Sequence, residues 1–477
     1  MQGKANLSSK NTGVYAHLIS RNHILYRIKK LIDFSFIFDV TEHCYHPNNG
    51  RPAVSAELYF KMLLIGYLFN IQSNRRLADE IHYNILYRWF CDLDLGDKIP
   101  HHATLSRTRK RLGVDVFERI FHEILNLCRE KGLLRAESSV MTDSTLFQAN
   151  ASLDSLKPKD DTYIPNDSKK TFSNKTHISR TDPDASFAFK AGTVRSLKYK
   201  AHITTDAQSR IILAIKITTG AVHDSIPYLE QLEYVIQKSK INLIEVIADK
   251  AYGTGEIIQS LKNNGIKSNI PLFSSRSGSS ENSAIEGFSF EPLGNHYLCP
   301  NKKKFSPCKS QGETTIYISK ASDCASCPLK NSCGAKIKNK GPGRYVTRNQ
   351  YQELYVEIRQ QMNDILFKQK LTERMWKIEG VMNEIKNYHT LSRAQFRGLE
   401  NVQIQAYMAA IAINIKRLVY CFLNILRIIG KNVQNVTAFA TGRRDFYTIQ
   451  GQLRHCFRLD KTIYYYGRLQ FKTRSWL

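Results

Sequence analysis

The sequence predicts a mixed α/β core behind a helical N-terminal region, and three observations predict it. From Ser138 onward, strand-like runs take turns with helical periodicity in the order β-β-β-α-β-α-β. Before that, residues 1 to about 130 place apolar side chains at helical spacing, as in Val54, Leu58, Met62, Ile65 and Phe69. After it, residues 274–346 turn rich in Ser, Gly, Lys and Cys, and helical sequence resumes near 349. Strands joined through helices lie parallel and hairpin strands antiparallel, so a mixed sheet flanked by helices is expected.

The elements follow in order. Pro52 stands near a helix start, and Ser73 reads as the cap of a helix from Arg75 to Phe90. Pro100 breaks the chain before a short basic helix, Ala103 to Leu112, which carries Arg107, Arg109, Lys110 and Arg111. Helices followed by a basic helix after a turn suit DNA contact; a packing domain with a solvated basic face is the alternative. Residues 138–147 form the first strand, and the polar stretch 151–196 reads as a mobile loop. Lys198–Thr205 and Arg210–Thr218 alternate as a hairpin around Asp206-Ala207-Gln208-Ser209. A helix (225–238), a buried strand (243–249), a helix (255–263) and a strand (266–272) complete a ribonuclease H-like order. The helix that should come next is displaced by the 274–346 insertion.

Charge narrows the partners. The chain of 477 residues has 69 Lys and Arg against 42 Asp and Glu, a net +27. That excess points to a polyanion, nucleic acid before an anionic membrane surface. The N-terminus is polar, so no signal peptide is expected. The most apolar stretch, Ala406 to Gly430, carries Lys416 and Arg417 in its middle, which fits a buried helix better than a membrane span. Ten cysteines without a secretory signal suggest reduced thiols or metal ligands.

Three acids carry the chemistry. Asp143 lies on the first strand, Asp249 ends the Leu243–Asp249 run, and Glu379 sits on a helix from Arg374 to Lys386. Three converging carboxylates need a countercharge, and oxygen donors with open positions suit Mg²⁺ or Mn²⁺. Such a site performs phosphoryl transfer on nucleic acid. Lys386 is seven residues beyond Glu379, on the same helix face, within reach of a phosphate; Glu384 points elsewhere. Lys200 and His202 share a strand face, where they bind DNA, frame the site or serve as ordinary core or surface residues. Cys324 and Cys327 form a C-x-x-C knuckle in an insertion that reads as poor in apolar residues, so a tetrahedral structural Zn²⁺ is expected there, with packed reduced cysteines as the alternative.

Taken together, the chain resembles bacterial insertion-sequence DDE transposases of the IS1182 type, related to the IS5 and IS4 groups. The likeness rests on Gly50-Arg51-Pro52-Ala53, Leu64-Ile65-Gly66-Tyr67, Ser73-Asn74-Arg75-Arg76-Leu77 and Pro100 to Arg107 near the N-terminus. Asp143-Ser144-Thr145 with Ala149-Asn150-Ala151-Ser152 is similar to the first-aspartate motif, and Asp249-Lys250-Ala251-Tyr252 to the second. Tyr199-Lys200-Ala201-His202, His223-Asp224, Arg397-Gly398-Leu399-Glu400 and Asn414-Ile415-Lys416-Arg417-Leu418 fall in the family's order. One departure is that four residues separate Arg374 from Glu379, where related groups place an Arg three before the Glu.

The resemblance implies a two-metal site of Asp143, Asp249 and Glu379 that cleaves double-stranded DNA at transposon ends and joins it to target, in a homo-oligomer on the DNA, in the bacterial cytoplasm at the nucleoid. It covers Cys299, Cys324, Cys327 and Cys333 as zinc ligands, with Cys308 extra. The expected domains are 1–130 (helical, DNA-binding), 138–273 (first part of the core), 274–346 (Cys-rich insertion), 347–430 (helical part with the final Glu) and 431–477 (a basic, aromatic tail). A ribonuclease H-like nuclease without strand transfer, and a DNA-binding protein with a silent site, are the competing readings.

Overall fold

The computed structural model describes residues 12–46, 53–159, 173–189, 195–272, 287–337 and 343–440, with side chains through Phe422. Gly50 to Pro52 of the N-terminal motif and residues 441–477 of the expected tail lie outside the described residues. The chain divides into two compact units. The first holds residues 1–223, 230–243 and 376–477; the second holds 224–229 and 244–375.

The first unit opens with helices α1 (Thr12–Leu18), α2 (Ile24–Leu31), α3 (Phe36–Thr41), α4 (Ala56–Leu68), α5 (Asn74–Tyr83), α6 (Ile85–Phe90) and α7 (His102–Glu130). Apolar residues surround α4, which is therefore buried on almost every side. Its start is capped by Ser55, whose Oγ accepts the Leu58 N–H at 3.5 Å. Where one helix was expected from Arg75 to Phe90 there are two. Asn84 leaves helical geometry, and its Oδ1 accepts the Leu86 N–H at 2.9 Å, starting α6 afresh. The expected short basic helix instead runs on to Glu130 across a kink at Gly113, whose φ of 70° suits glycine. Beyond the kink Val116, Phe117, Ile120, Phe121, Ile124 and Cys128 form one buried stripe.

A sheet follows. Strands β1 (Glu137–Gln148), β2 (Leu156–Pro158), β3 (His177–Ser179), β4 (Ser186–Ala188), β5 (Ser196–Asp206) and β6 (Ile212–Thr219) lead into α8 (Tyr228–Ser239). β5 pairs antiparallel with β1, β6 and β4. The hairpin turns at Asp206, whose Oδ2 accepts the N–H groups of Gln208 (3.1 Å) and Ser209 (2.6 Å). The stretch expected to be a mobile loop is, where described, tied down: β2 pairs β3, and the Asn174 amide exchanges hydrogen bonds with the Phe187 backbone at 2.7 and 2.9 Å. Its polar residues satisfy backbone groups, so its composition was misleading.

The second unit takes over within β7 (Asn242–Ile247), which pairs parallel with β8 (Lys267–Asn269) around α9 (Gly255–Asn263). Antiparallel pairs in one unit and a parallel pair in the other make the protein mixed α/β. An antiparallel sheet comes next: β9 (Ser289–Glu291), β10 (His296–Leu298), β11 (Lys304–Gln311), β12 (Thr314–Ser319), β13 (Lys336–Ile337) and β14 (Arg344–Asn349), with the short α10 (Ala321–Ala325). The expectation of a segment too poor in apolar residues for a core is corrected here. Phe288, Phe305, Tyr317, Ala335 and Val346 are buried together, with Cys299 and Cys333 packed against them. α11 (Gln352–Met362) and the start of α12 (Ile365–Tyr388) close the unit.

From Trp376 on, α12 belongs again to the first unit, and α13 (Leu399–Ala440) ends the described chain. α13 lies along the outer edge of β6. Asn414, fully buried, accepts the Ile212 N–H and donates to the Ile212 carbonyl, both at 2.9 Å. Gln403, three turns earlier, does the same for Ile217 N–H (2.7 Å) and Ile215 carbonyl (2.8 Å). Asn414→Leu leaves both Ile212 groups buried without partners. We expect it to lower unfolding free energy by about 2–5 kcal/mol, read from the urea midpoint at unchanged m-value.

Candidate active site

Asp143 lies in the middle of β1, half-buried, opposite Ile203 of β5. One of its carboxylate oxygens accepts the Ser144 N–H at 2.8 Å. Residues directly opposite in an antiparallel pair share a face, and successive residues alternate. Ser144 faces His202 and Leu146 faces Lys200, so His202 and Lys200 project on the side of the sheet away from Asp143. His202 is 1% exposed, with its Nε2 2.9 Å from Thr218 Oγ1, and Lys200 Nζ donates to the Val222 carbonyl at 2.6 Å. The expectation that these two frame the acid, or that the His202 ring meets DNA, is corrected by this register and burial.

Glu379 is exposed on α12, and no ion pair to it occurs among the described residues. The helix that carries it is fixed to the sheet side of the same unit. Lys377 donates to the Ala207 carbonyl at 3.0 Å, and Ala207 N–H in turn donates to Ser139 of β1. Lys386 donates to the Leu146 carbonyl of β1 at 2.8 Å. Glu379 thus sits on α12 between two lysine anchors whose footholds bracket Asp143 on β1. The chain after α12 adds to the grip: Ala394 N–H donates to the Gln148 carbonyl at 2.7 Å.

Asp249 belongs to the second unit. It follows β7, is half-buried and caps a short turn through the Ala251 N–H at 2.7 Å. Tyr252 of that turn is buried against Tyr228, ring centres 4.6 Å apart. Glu245, the acid within β7, is committed to Asn269 Nδ2 (2.7 Å) and Lys370 Nζ (2.8 Å).

Among the acids weighed for the third position, Glu384 is bound up in a network. Its carboxylate meets Lys416 Nζ at 2.7 Å and Arg417 Nη2 at 3.0 Å. Burial alone would push this carboxyl up; the His389 ring and the two cations outweigh burial and hold it well below the usual range. Burial lowers the Arg417 guanidinium to about 10 against the pull of Glu384. None of this was read from the sequence, where the partners stand 32 and 33 positions away. Asp182 was also missed: fully buried, it accepts the Tyr199 hydroxyl (2.6 Å) and the Gly398 N–H (3.0 Å) just before α13.

Of the basic residues on α7, Arg107, Lys110, Arg111 and Arg119 are exposed. Arg109 turns inward, its guanidinium 3.5 Å from the Phe396 ring centre, so it serves packing within the unit and not a groove. In the second unit, the Cys299 thiol accepts the Lys303 N–H at 3.3 Å, and Asn301 Nδ2 reaches Cys327 Sγ at 3.6 Å. Cys324 is buried with its Sγ 3.1 Å from Ser319 Oγ, and Arg344 holds the 330–335 loop through the Cys333 and Ala335 carbonyls, each at 3.1 Å. Among the described residues, no three His, Cys, Asp or Glu side chains are gathered so as to hold a metal ion. No helix there is long and apolar enough to cross a membrane.

Residues 14–111 match the family described as "Transposase domain (DUF772)", and residues 298–419 match the "Transposase DDE domain" family. No curated protein matches the chain. Among solved structures, a piggyBac transposase synaptic complex with hairpin DNA is similar at 10% identity and a TM-score of 0.37, covering 95% of this chain and 84% of that one. A Mos1 transposase paired-end complex with the left transposon end is similar at 10% identity and a TM-score of 0.16, covering 47% and 61%. At those scores the likeness carries no argument about this chain.

Proposed function

We infer that this protein is a DNA transposase of the DDE class: it binds the ends of an insertion sequence, cuts them and joins them to target DNA. The observation that carries the reading is the pair of transposase matches, one over the N-terminal helices and one over the segment that holds Glu379. The finer assignments are ours: an IS1182-type element, a ribonuclease H-like core, and the division into helical domain, split core, Cys-rich insertion and basic tail. We also assign a homo-oligomer on double-stranded DNA, in the cytoplasm at the nucleoid.

Asp143, Asp249 and Glu379 supply the catalytic carboxylates in this reading. Their donors are hard oxygens, which fit Mg²⁺ or Mn²⁺ in kind. Such ions, when bound, lower the pKa of the attacking hydroxyl and offset charge on the leaving oxygen. The residues do the rest. Asp143 is held on a paired strand, Glu379 on a helix tied to that strand at two points, and Lys and Arg side chains meet the phosphates. Lys386, already bonded to Leu146, places its cation two turns from Glu379 on the same flank; Arg107 and Arg111 are, with Lys110 and Arg119, exposed cations of α7. Glu379 is the third acid in preference to Glu384, because two cations already occupy the latter.

The test is strand cleavage and joining with a labelled terminal fragment. Glu379→Gln should abolish both at every Mn²⁺ concentration. Joining by the wild-type chain separates a transposase from a nuclease on the same fold. Cleavage without joining would favour the nuclease.

We assign structural Zn²⁺ to Cys299, Cys324, Cys327 and Cys333. Support comes from the thiol of Cys299 accepting a backbone N–H within its own turn and from the link between that turn and Cys327. Thiolates select zinc where carboxylates select Mg²⁺. Elemental analysis of protein purified without chelator should find about one zinc per chain, as four-thiolate closed sites hold. Cys327→Ser should lose it. A module that stays folded with no zinc would refute the assignment.

A further inference from the structure

The aim of the Glu379 carboxylate depends on the roll of α12 about its own axis. Each residue turns the helix by about 100°, and side chains reach about 5–6 Å from the axis. A roll of about 20° therefore moves an α12 carboxylate by about 2 Å, further than a productive active-site geometry tolerates. A hydrogen bond on one flank alone would act as a hinge. Lys386 supplies one flank through the Leu146 carbonyl, and Lys377, about 180° around the helix, supplies a bond on the other through the Ala207 carbonyl. Glu379 lies on that same flank, seven residues earlier. Glu384 lies five residues beyond Glu379, about 140° around the helix, on the opposite flank.

We propose that Glu384, with Lys416, Arg417 and His389, is a positioning device that reinforces the Lys377 flank two turns further along, fixes the roll of α12 there and so aims Glu379. The proposal rests on reading Glu379 as a metal-holding acid. Two adjacent residues of α13 clasp the single carboxylate, Lys416 at 2.7 Å and Arg417 at 3.0 Å. α13 is itself immobilised on β6 by Gln403 and Asn414. The chain of contacts then runs from the sheet through α13 to Glu384, and from the sheet through Lys386 to the other side of α12. His389, fully buried at the end of α12, extends it to the N-terminal helices. Its Nδ1 is 2.8 Å from the Tyr67 carbonyl at the end of α4. Its Nε2 lies 3.2 Å from Lys416 Nζ and 3.6 Å from Glu384 Oε1, inside the same cluster. The helical region matched to a transposase domain is thus joined by hydrogen bonds to the helix that bears Glu379.

Stability alone is a weak reason for such a device. Desolvating three charges offsets most of what their attraction returns, and apolar side chains would pack as well. What ions add is direction.

Full-length Glu384→Gln keeps the shape of the side chain and removes its charge. With Mn²⁺ and a labelled end fragment, we expect its single-turnover cleavage to fall about 10–100-fold, the cost of a displacement near 1 Å. The Mn²⁺ concentration for half-maximal cleavage should rise, and end affinity should stay within about twofold. Wild-type cleavage and metal dependence in this variant would overturn the proposal. So would a slower rate with unmoved metal dependence, which a purely structural role produces. Should Glu384→Gln fail to fold, Lys416→Met leaves Glu384 paired with Arg417 and should shift metal dependence in the same direction by less; no shift overturns the proposal. Glu379→Gln in the same assay keeps the two readings apart. If it cleaves like wild type, the assignment of Glu379 has failed and not the positioning of α12.

Discussion

Asp143→Asn and Asp249→Asn should each lower end cleavage by about a thousandfold or more while leaving end binding nearly intact. A comparable loss follows removal of other groups that steady the charge of a transferring phosphoryl. The substitution keeps the shape of each side chain and deletes one negative charge, so the backbone roles survive. In the first variant the new amide oxygen can still accept the Ser144 N–H, and in the second it can still cap the turn at Ala251, contacts the aspartates make at 2.8 and 2.7 Å. Affinity for DNA should hold because phosphate contacts come from Lys and Arg, and removing an acid from a chain of +27 weakens nothing that attracts a polyanion. Gel-shift and cleavage measurements on one preparation decide the matter. Full-rate cleavage by either variant would end the catalytic assignment.

The second large effect is on affinity. With +27 to distribute, the protein should neutralise many phosphates, each releasing roughly 0.9 counterion. A footprint of about 6–10 phosphate contacts loses about 10³–10⁵ in affinity between 50 and 200 mM salt. Fluorescence anisotropy on an end fragment across that range should give a straight line of log affinity against log salt. A flat line would contradict nucleic acid as the partner. Charge on a broad surface gives no such slope unless it meets the backbone, so the slope measures contact and not net charge alone.

The sequence exposed what is periodic or local. The strand-like run 138–147 and the alternating hairpin around Asp206 located β1, β5 and β6 within a few residues, because strand faces and turn chemistry leave short-range marks. Asn84 and Gly113 escaped because each acts through one backbone setting: Asn84 divides a helix that side-chain spacing alone would continue, and Gly113 kinks α7 without ending the buried stripe. Residues 173–189 looked structureless because their hydrogen bonds run from polar side chains to distant backbone, which composition does not encode. The acids themselves stood out by type and position, yet the sequence held no trace of what grips α12. Glu384, Asn414 and Gln403 look like ordinary polar residues on amphipathic helices, and their partners lie 32 to 202 positions away. The inward turn of Arg109 onto Phe396 was hidden for the same reason.

The two amides that clasp β6 also decide what this sheet can add. An open strand edge presents a ladder of unpaired donors and acceptors that any extended peptide can extend, the route of strand exchange and of fibril growth. Here Gln403 and Asn414 act as two surrogate strand residues, eleven positions apart, and use the outward groups of Ile212, Ile215 and Ile217. The β6 border is a closed terminus for polymerisation, so an extended segment cannot lengthen the sheet at Ile212, Ile215 and Ile217 unless α13 first lets go.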